Sequence, residues 1–345
     1  MFFLKLLYLI ILAISCICID CFLKTYANPT IKLNNKVITN CNNVSQAYKC
    51  AKYSYKVKTA RYYYVADKYK LHICAINKNF SSMLSAIACY LFDETSFFKK
   101  HKHLFEDYYE SQACKATNFA NRFGAIATKY NGDKFEDFLE SWKHIIVVRP
   151  PVERFLSAYA HICTSNDSTA LHQKTCFHCK QDIKCFVTKL YKEILDTASG
   201  TKNANIHRRN HFYPVSWACE YLIYKDFYTV LKYSSANVEV FYDSLLKVLK
   251  HQNVSTPQLT YIAKELGHRN YHSTFGSKNL LQQKEKLLSS PVLLDYISRI
   301  YYDDFKNFDF PLPNLYNQFS KKESLKKKYG KPKLNKKKNK NKKKN

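Results

Sequence analysis

Residues 144–161 read HIIVVRPPVERFLSAYAH. Ile145, Ile146, Val147 and Val148 run without interruption into Arg149, the pattern of a strand buried on both faces. Pro150 and Pro151 remove two backbone donors and end the strand. From Val152 the apolar residues Phe155, Leu156 and Tyr159 fall on one side of a helix. The stretch therefore predicts a buried strand that delivers an arginine to a helix mouth. Ser157 lies eight residues past Arg149, two turns into that helix, so a guanidinium and a hydroxyl can close on one anionic group, with phosphate the obvious candidate. An ordinary strand-turn-helix of an α/β core has the same local pattern.

A second junction of the same kind lies upstream. Residues 70–76 (KLHICAI) read as a short strand, 77–81 as a polar turn, and 82–93 as a helix with Leu84, Ile87, Ala88 and Leu91 at helical spacing. Lys78, Ser81 and Ser82 surround the start of that helix, whose free amides and dipole favour an anion. The loop contains no glycine and is not a GxxxxGK[ST] loop; taken alone it also reads as a plain capped helix. Two parallel strands, each ending in a cation and a helix amino terminus, make a cleft at the carboxyl ends of a sheet that can hold a nucleotide with phosphates at both ends.

Working outward, residues 133–142 predict another helix before the opening strand. Residues 163–185 form a cysteine-dense excursion, followed by a helix over about 183–195, a break over 198–210, and the compact block HFYPVSWACEYLIYKDFYTVLKYSS. Helices are expected at 241–251, 258–266, 279–288 and 292–302, and no internal repeat is visible. Residues 24–69, rich in Asn, Lys and Tyr without sustained periodicity, read as a stem. Residues 321–345 hold fourteen Lys and one Glu and cannot bury a core.

The chain has 345 residues, 46% of them apolar, and a formal charge of +28. That is ample for a sizeable core, and the body stays basic after the tail is set aside, which favours a polyanionic partner: nucleic acid or an acidic glycan. The amino terminus separates these by compartment. Residues 2–23 are almost wholly apolar, interrupted by Lys5, Ser15 and Asp20, so they read as a short signal-anchor or a cleaved signal peptide. Lys24, Lys32 and Lys36 follow the apolar run while only Lys5 precedes it, so the positive-inside rule does not favour the anchor. Either form leads into the secretory pathway and argues against a nucleic-acid role. Three of the thirteen cysteines lie in this leader, leaving ten (Cys41, Cys50, Cys74, Cys89, Cys114, Cys163, Cys176, Cys179, Cys185 and Cys219), an even number suited to disulfides in an oxidising lumen. CFHC at 176–179 also has the form of a zinc motif, with disulfides favoured in that compartment. Asn43, Asn79, Asn166 and Asn253 head glycosylation sequons.

RPPVERFLSAY (149–159) resembles the RDPFERLVSAY segment of the Golgi carbohydrate sulfotransferases, specifically the chondroitin/dermatan 4-sulfotransferase and HNK-1 sulfotransferase group, matching at Arg149, Pro151, Glu153, Arg154, Ser157, Ala158 and Tyr159. The upstream loop is similar to the family's PKxGxT: Lys78 and Ser82 fall on the Lys and Thr, Asn77 replaces Pro and Phe80 replaces Gly. Pro150 in place of Asp is a further departure. HFYPVSWAC looks like the family's HWxPQ block and YYDDFKNFDF like its YxxDFxxF. The resemblance spans about residues 70–313, with a leader at 1–23, a stem at 24–69, a domain at 70–315 and a tail at 316–345.

This resemblance implies one α/β domain, a parallel sheet flanked by helices with a P-loop-like nucleotide site. It implies 3′-phosphoadenosine 5′-phosphosulfate (PAPS) as donor, with Lys78, Asn79, Ser81 and Ser82 at its 5′-phosphosulfate and Arg149 and Ser157 at its 3′-phosphate. The acceptor would be an anionic, chondroitin-like glycan, reached from a Golgi membrane anchor or after secretion. Sulfuryl transfer needs a fixed donor, charge neutralisation on the leaving oxygen and a base for the attacking hydroxyl. Lys78 is the expected cation at that oxygen, so no metal is required. His211 is the expected base, since imidazole titrates near neutrality; His207, His268 and His272 are alternatives. Arg208 and Arg209 are candidates to read acceptor carboxylates. A secreted, catalytically inactive glycan-binding protein is the alternative function.

Overall fold

The computed structural model describes residues 49–54, 57, 62–108, 111–114, 117–164, 169–268 and 278–313. The chain divides into Met1–Lys49 and Cys50–Asn345, and the fold belongs to the second unit. The expected leader and tail, Cys41, Asn43, Asn166 and His272 lie outside the described residues. Among the described residues no helix is long and apolar enough to cross a membrane.

A five-stranded sheet carries strands β1 (Tyr63–Ala66), β2 (Leu71–Cys74), β3 (Phe119–Ala120), β4 (Lys143–Val148) and β5 (Tyr228–Lys232) in the order β3-β1-β2-β4-β5. β2, β4 and β5 are parallel, whereas β1 runs antiparallel to both β2 and β3. The sheet is thus mixed, not wholly parallel. Only the 3-10 turn Asp67–Tyr69 separates β1 from β2, closed by Lys70 at φ 46°; so short a link permits only an antiparallel pair. β1 lies within the stretch expected to be stem, where Tyr63 and Val65 alternate onto one buried face.

Ile145 and Val147 join Leu71 and Ile73 on one face of the sheet, and Ile146 and Val148 join Tyr63, Val65 and Cys74 on the other. Both faces are covered, which is why β4 reads as an unbroken apolar run. The first face receives α1 (Ser81–Phe92), followed by α2 (Glu94–Lys100). The second receives α3 (Phe123–Tyr130) and α4 (Phe135–Ser141) through Phe123 and Phe138. Cross-strand partners His72 and His144 approach to 2.8 Å between Nδ1 atoms, and burial holds both rings below the usual imidazole range.

Pro151 occupies the first turn of α5 (Pro151–Ile162), where its missing N–H costs nothing. After α5 come α6 (Ala170–Thr175), α7 (Ile183–Ser199), α8 (Ile206–Phe212) and the single turn α9 (Tyr221–Tyr224). α8 falls where a break was expected; Asn205 caps it by accepting from the Arg208 amide at 3.0 Å. Of the remaining helices, α10 (Val238–His251), α11 (Thr256–Leu266), α12 (Lys278–Leu288) and α13 (Pro291–Ile300) follow the expected periodicity, and α14 (Tyr302–Asn307) is a short helix beyond the last one expected. A helical core forms where α5, α7, α8 and α13 pack Phe155, Tyr159, Phe186, Leu190, Phe212 and Ile297 together.

Disulfides link Cys74–Cys219, Cys89–Cys114, Cys163–Cys176 and Cys179–Cys185, and Cys50 is also disulfide-bonded. Cys176 and Cys179, the two cysteines of the CFHC motif, are therefore committed to separate disulfides.

The sequence blocks around 211–219 and 301–308 form one clasp. Asp304, buried, accepts from the backbone amides of Val215 at 2.8 Å and Ser216 at 2.7 Å. The Tyr301 hydroxyl donates to the Phe212 carbonyl at 2.6 Å, and the Trp217 indole N–H donates to Asp303 at 3.1 Å. From the other side, the guanidinium of Arg154, only 2% exposed, donates to the carbonyls of Asn77 (3.2 Å), Tyr213 (2.8 Å) and Asn210 (3.5 Å). One side chain of α5 thereby ties the loop after β2 to α8 and its exit.

Two outcomes follow from this packing. Arg154→Ala leaves three carbonyls without this donor and lowers the unfolding free energy by about 3 kcal/mol or more in denaturant titration; a loss below about 1 kcal/mol contradicts the tie. In secretory expression, Asn253, exposed in the turn between α10 and α11, carries a glycan while Asn79, fully buried, does not. Asn253→Gln then removes one glycosidase-sensitive mobility step and Asn79→Gln removes none.

Candidate active site

The loop after β2 turns into α1 through Lys78 at φ 69° and Phe80 at φ 66°. These are left-handed positions that cost a side-chain-bearing residue roughly 1–2 kcal/mol. Phe80, which stands where the resembling motif has Gly, takes the backbone angle glycine would supply. Its ring leaves the loop to pack on Tyr233, Phe241 and Tyr242 at 5.4, 5.1 and 5.9 Å between centroids. The loop thus keeps a glycine-like bend while the aromatic group joins the core against β5 and α10.

The bend leaves α1 without a side-chain cap, so its first amides are free to face a ligand. Beside them Asn79 is fully buried, and neither its side-chain oxygen nor its nitrogen has a hydrogen-bond partner. A buried amide left unpaired is costly, and its position at a helix amino terminus suits an anionic ligand. Ser81 and Ser82 form the opening of α1, with Ser82 exposed and Ser81 half-buried.

Lys78 completes this end. Among the described residues no carboxylate pairs with it. Burial, then the charges of Arg149 and Arg154, bring its pKa down to about 8. A lysine crowded by two guanidiniums is short of negative charge, and a phosphate or sulfate would supply it.

Arg149, at the end of β4, reaches across to the same loop. It donates to the Lys78 carbonyl at 3.5 Å and to Ser235 Oγ at 3.4 Å, pairs with Glu153 at 3.4 Å, and lies over the Tyr233 ring at 5.2 Å. These are long contacts, consistent with a guanidinium held in place but not saturated. Glu153 in turn accepts from Ser234 Oγ at 3.0 Å and Ser235 Oγ at 3.2 Å, fixing the loop after β5. Ser157 is buried one turn beyond Glu153 on α5. The two strand-end cations are therefore neighbours, joined through the Lys78 carbonyl, and Ser157 lies deeper along the helix.

α8 closes the other side of Lys78. His211 donates from Nδ1 to the His207 carbonyl at 2.8 Å, which leaves Nε2 as the acceptor for the Asn77 side-chain amide at 3.0 Å. Burial first, then His207, Lys78 and Arg154, lower its pKa to about 3. His211 is in the site, as its motif position suggested, but both ring nitrogens are engaged and the ring stays neutral. The His207 ring lies against it, tilted by 42° with centroids 4.4 Å apart.

The remaining candidates separate. Arg208 is buried, paired with Glu193, in contact with the Lys174 and Thr175 carbonyls and 3.8 Å from the Phe177 ring centroid; it anchors α8 to the cysteine-dense excursion and cannot read an acceptor. Arg209 is half-exposed, with its buried Nε unpartnered. His268 sits with Glu265 and the His103 and Phe105 rings, a different neighbourhood. Asn77, Glu153 and Arg154 were not singled out as site residues, although two of them lie within the matched ERFLSAY run. Residue identity alone does not reveal that their partners come from β5 and α8.

The family model described as the sulfotransferase family matches residues 61–311. A carbohydrate sulfotransferase of Caenorhabditis elegans, chst-1, is 28% identical over 254 residues, covering 72% of this chain and 75% of its own length. An uncharacterized protein of the same organism is 27% identical over 254 residues, covering 73% of this chain and 69% of its own. No solved structure matches. With the match running from the first strand of the sheet to the end of the clasp, the chain belongs to the sulfotransferase family.

Proposed function

We propose that the protein transfers a sulfuryl group from PAPS to a hydroxyl of an anionic, chondroitin-like glycan. The observation that carries this reading is Lys78, with no carboxylate partner among the described residues, beside the orphaned Asn79 amide at the uncapped start of α1, with Arg149 one strand away. Lys78, Asn79, Ser81, Ser82 and the first amides of α1 would take the 5′-phosphosulfate; Arg149 and Ser157 would take the 3′-phosphate. When a sugar hydroxyl attacks sulfur, the S–O bond to the nucleotide breaks and negative charge gathers on the leaving phosphate oxygen, where the Lys78 ammonium is best placed to stabilise it. His211 would act by holding Asn77, and with it the loop.

The basic body supports an acidic acceptor, and the disulfides support folding in an oxidising lumen. The apolar leader read in the sequence supports a location in the Golgi membrane or, after cleavage, outside the cell. The alternative, an inactive glycan-binding protein, draws on the absence of both Gly and Pro from this loop; Phe80 at φ 66° supplies the backbone angle of the glycine and so speaks for the active reading at that position.

Labelled PAPS and a panel of unsulfated chondroitin, dermatan and heparosan test the reading. Lys78→Ala is expected to cost about 10²–10³-fold in kcat, and Arg149→Ala to weaken affinity for adenosine 3′,5′-bisphosphate at least tenfold. Both variants retaining full activity would contradict the assignment. Because Lys78 is charged below its pKa of about 8 and neutral above it, nucleotide affinity is expected to fall as pH rises from 7 to 9. Lys78→Arg abolishes that dependence, and an unchanged slope in this variant would contradict it.

A further inference from the structure

His207 lies one turn before His211 on α8, the helix that meets the loop after β2 through His211 and Asn77 and meets α6 through Arg208. Its ring lies against His211 with centroids 4.4 Å apart and planes tilted by 42°, Lys78 from the loop and His172 from α6 are its charged neighbours, and its buried Nδ1 has no hydrogen-bond partner among the described residues. His211, one turn on, has neither nitrogen to spare: its Nδ1–H is held by the His207 carbonyl and its Nε2 by the Asn77 amide. For His211 to take a proton it would have to release Asn77, whose own carbonyl is held by Arg154.

We infer that His207 is the residue that accepts the proton of the attacking acceptor hydroxyl, and that His211 is a positioning residue. The inference rests on the sulfuryl-transfer reading above. In the step, the acceptor oxygen forms a bond to sulfur, the bond from sulfur to the 5′-phosphate oxygen breaks with its electron pair leaving on the nucleotide, and the hydroxyl proton passes to the His207 ring. Product and solvent then remove that proton. Burial and the nearby Lys78 charge disfavour the imidazolium in the free protein, so the ring waits unprotonated at neutral pH. Division of labour between the two histidines also explains their spacing: four residues apart on one helix, one holds the loop through Asn77 and the other, with Lys78 as a charged neighbour, keeps a ring nitrogen without a partner among the described residues.

The test uses the full-length chain, labelled PAPS, and whichever glycan of the panel the unaltered protein sulfates. The expected result is that His207→Gln lowers kcat about 10²-fold or more while affinity for adenosine 3′,5′-bisphosphate by calorimetry stays within about twofold of the unaltered value. The acid limb of the rate profile, with its midpoint below the ordinary imidazole value of about 6.5, disappears in His207→Gln and persists in His211→Asn. His207→Ala recovers rate on addition of imidazole, which a purely structural role would not allow. Activity of His207→Gln within threefold of the unaltered protein, or loss of nucleotide affinity in step with activity and no rescue by imidazole, overturns the inference. Failure of the unaltered chain to sulfate any glycan overturns the proposed function itself, and the inference with it.

Discussion

The arrangement depends on one buried guanidinium. Among the described residues Arg154 has no carboxylate hydrogen-bonded to it; its partners are the carbonyls of Asn77, Asn210 and Tyr213. A cation in a dry interior is tolerated only when its donors are satisfied, so the loop after β2 and the end of α8 are held at fixed distances from α5. Asp304 holds the next few residues of the same segment through the Val215 and Ser216 amides, and burial raises its pKa to about 6. Two opposite charges, each bonded to backbone of one short segment, fix the histidine-bearing helix against the lysine-bearing loop.

That constraint makes the positive charge of the site intelligible. Lys78, Arg149 and Arg154 stand close enough for the two guanidiniums to help depress the lysine, a mutual repulsion that an anionic ligand would relieve. Arg154 is occupied by backbone and Arg149 is partly met by Glu153, which leaves Lys78 and the amides of α1 as the least satisfied groups. The electrostatic strain is thus concentrated where a phosphosulfate would be neutralised. The disulfide-rich excursion contributes from a distance, because Arg208 joins α8 to its carbonyls and to Phe177.

Much of this was legible in the sequence for identifiable reasons. β4 and α5 were plain because a strand covered on both faces is uninterrupted in Ile and Val, and because Pro150 and Pro151 mark a single boundary. The long helices from α10 to α13 kept their apolar spacing. β1 was hidden: four residues rich in tyrosine are too short for alternation to stand out from the surrounding Tyr and Lys. α8 was hidden because its polar residues serve the site and only Arg208, Asn210 and Phe212 are buried. Phe80 misleads by identity, since a glycine position in a tight loop rarely accepts an aromatic ring, and only the pocket made by Tyr233, Phe241 and Tyr242 shows where the ring goes. The pairing of His211 with Asn77 joins residues 134 positions apart, beyond the reach of local pattern.

The most direct measurement of the central claim is a crystal structure of the chain with adenosine 3′,5′-bisphosphate. The account predicts the 5′-phosphate against Lys78, the Asn79 amide and the first amides of α1, and the 3′-phosphate against Arg149 and Ser157, with Arg154 still bonded to its three carbonyls. A nucleotide bound elsewhere on the domain, or one whose phosphates leave Lys78 and Arg149 untouched, would contradict it.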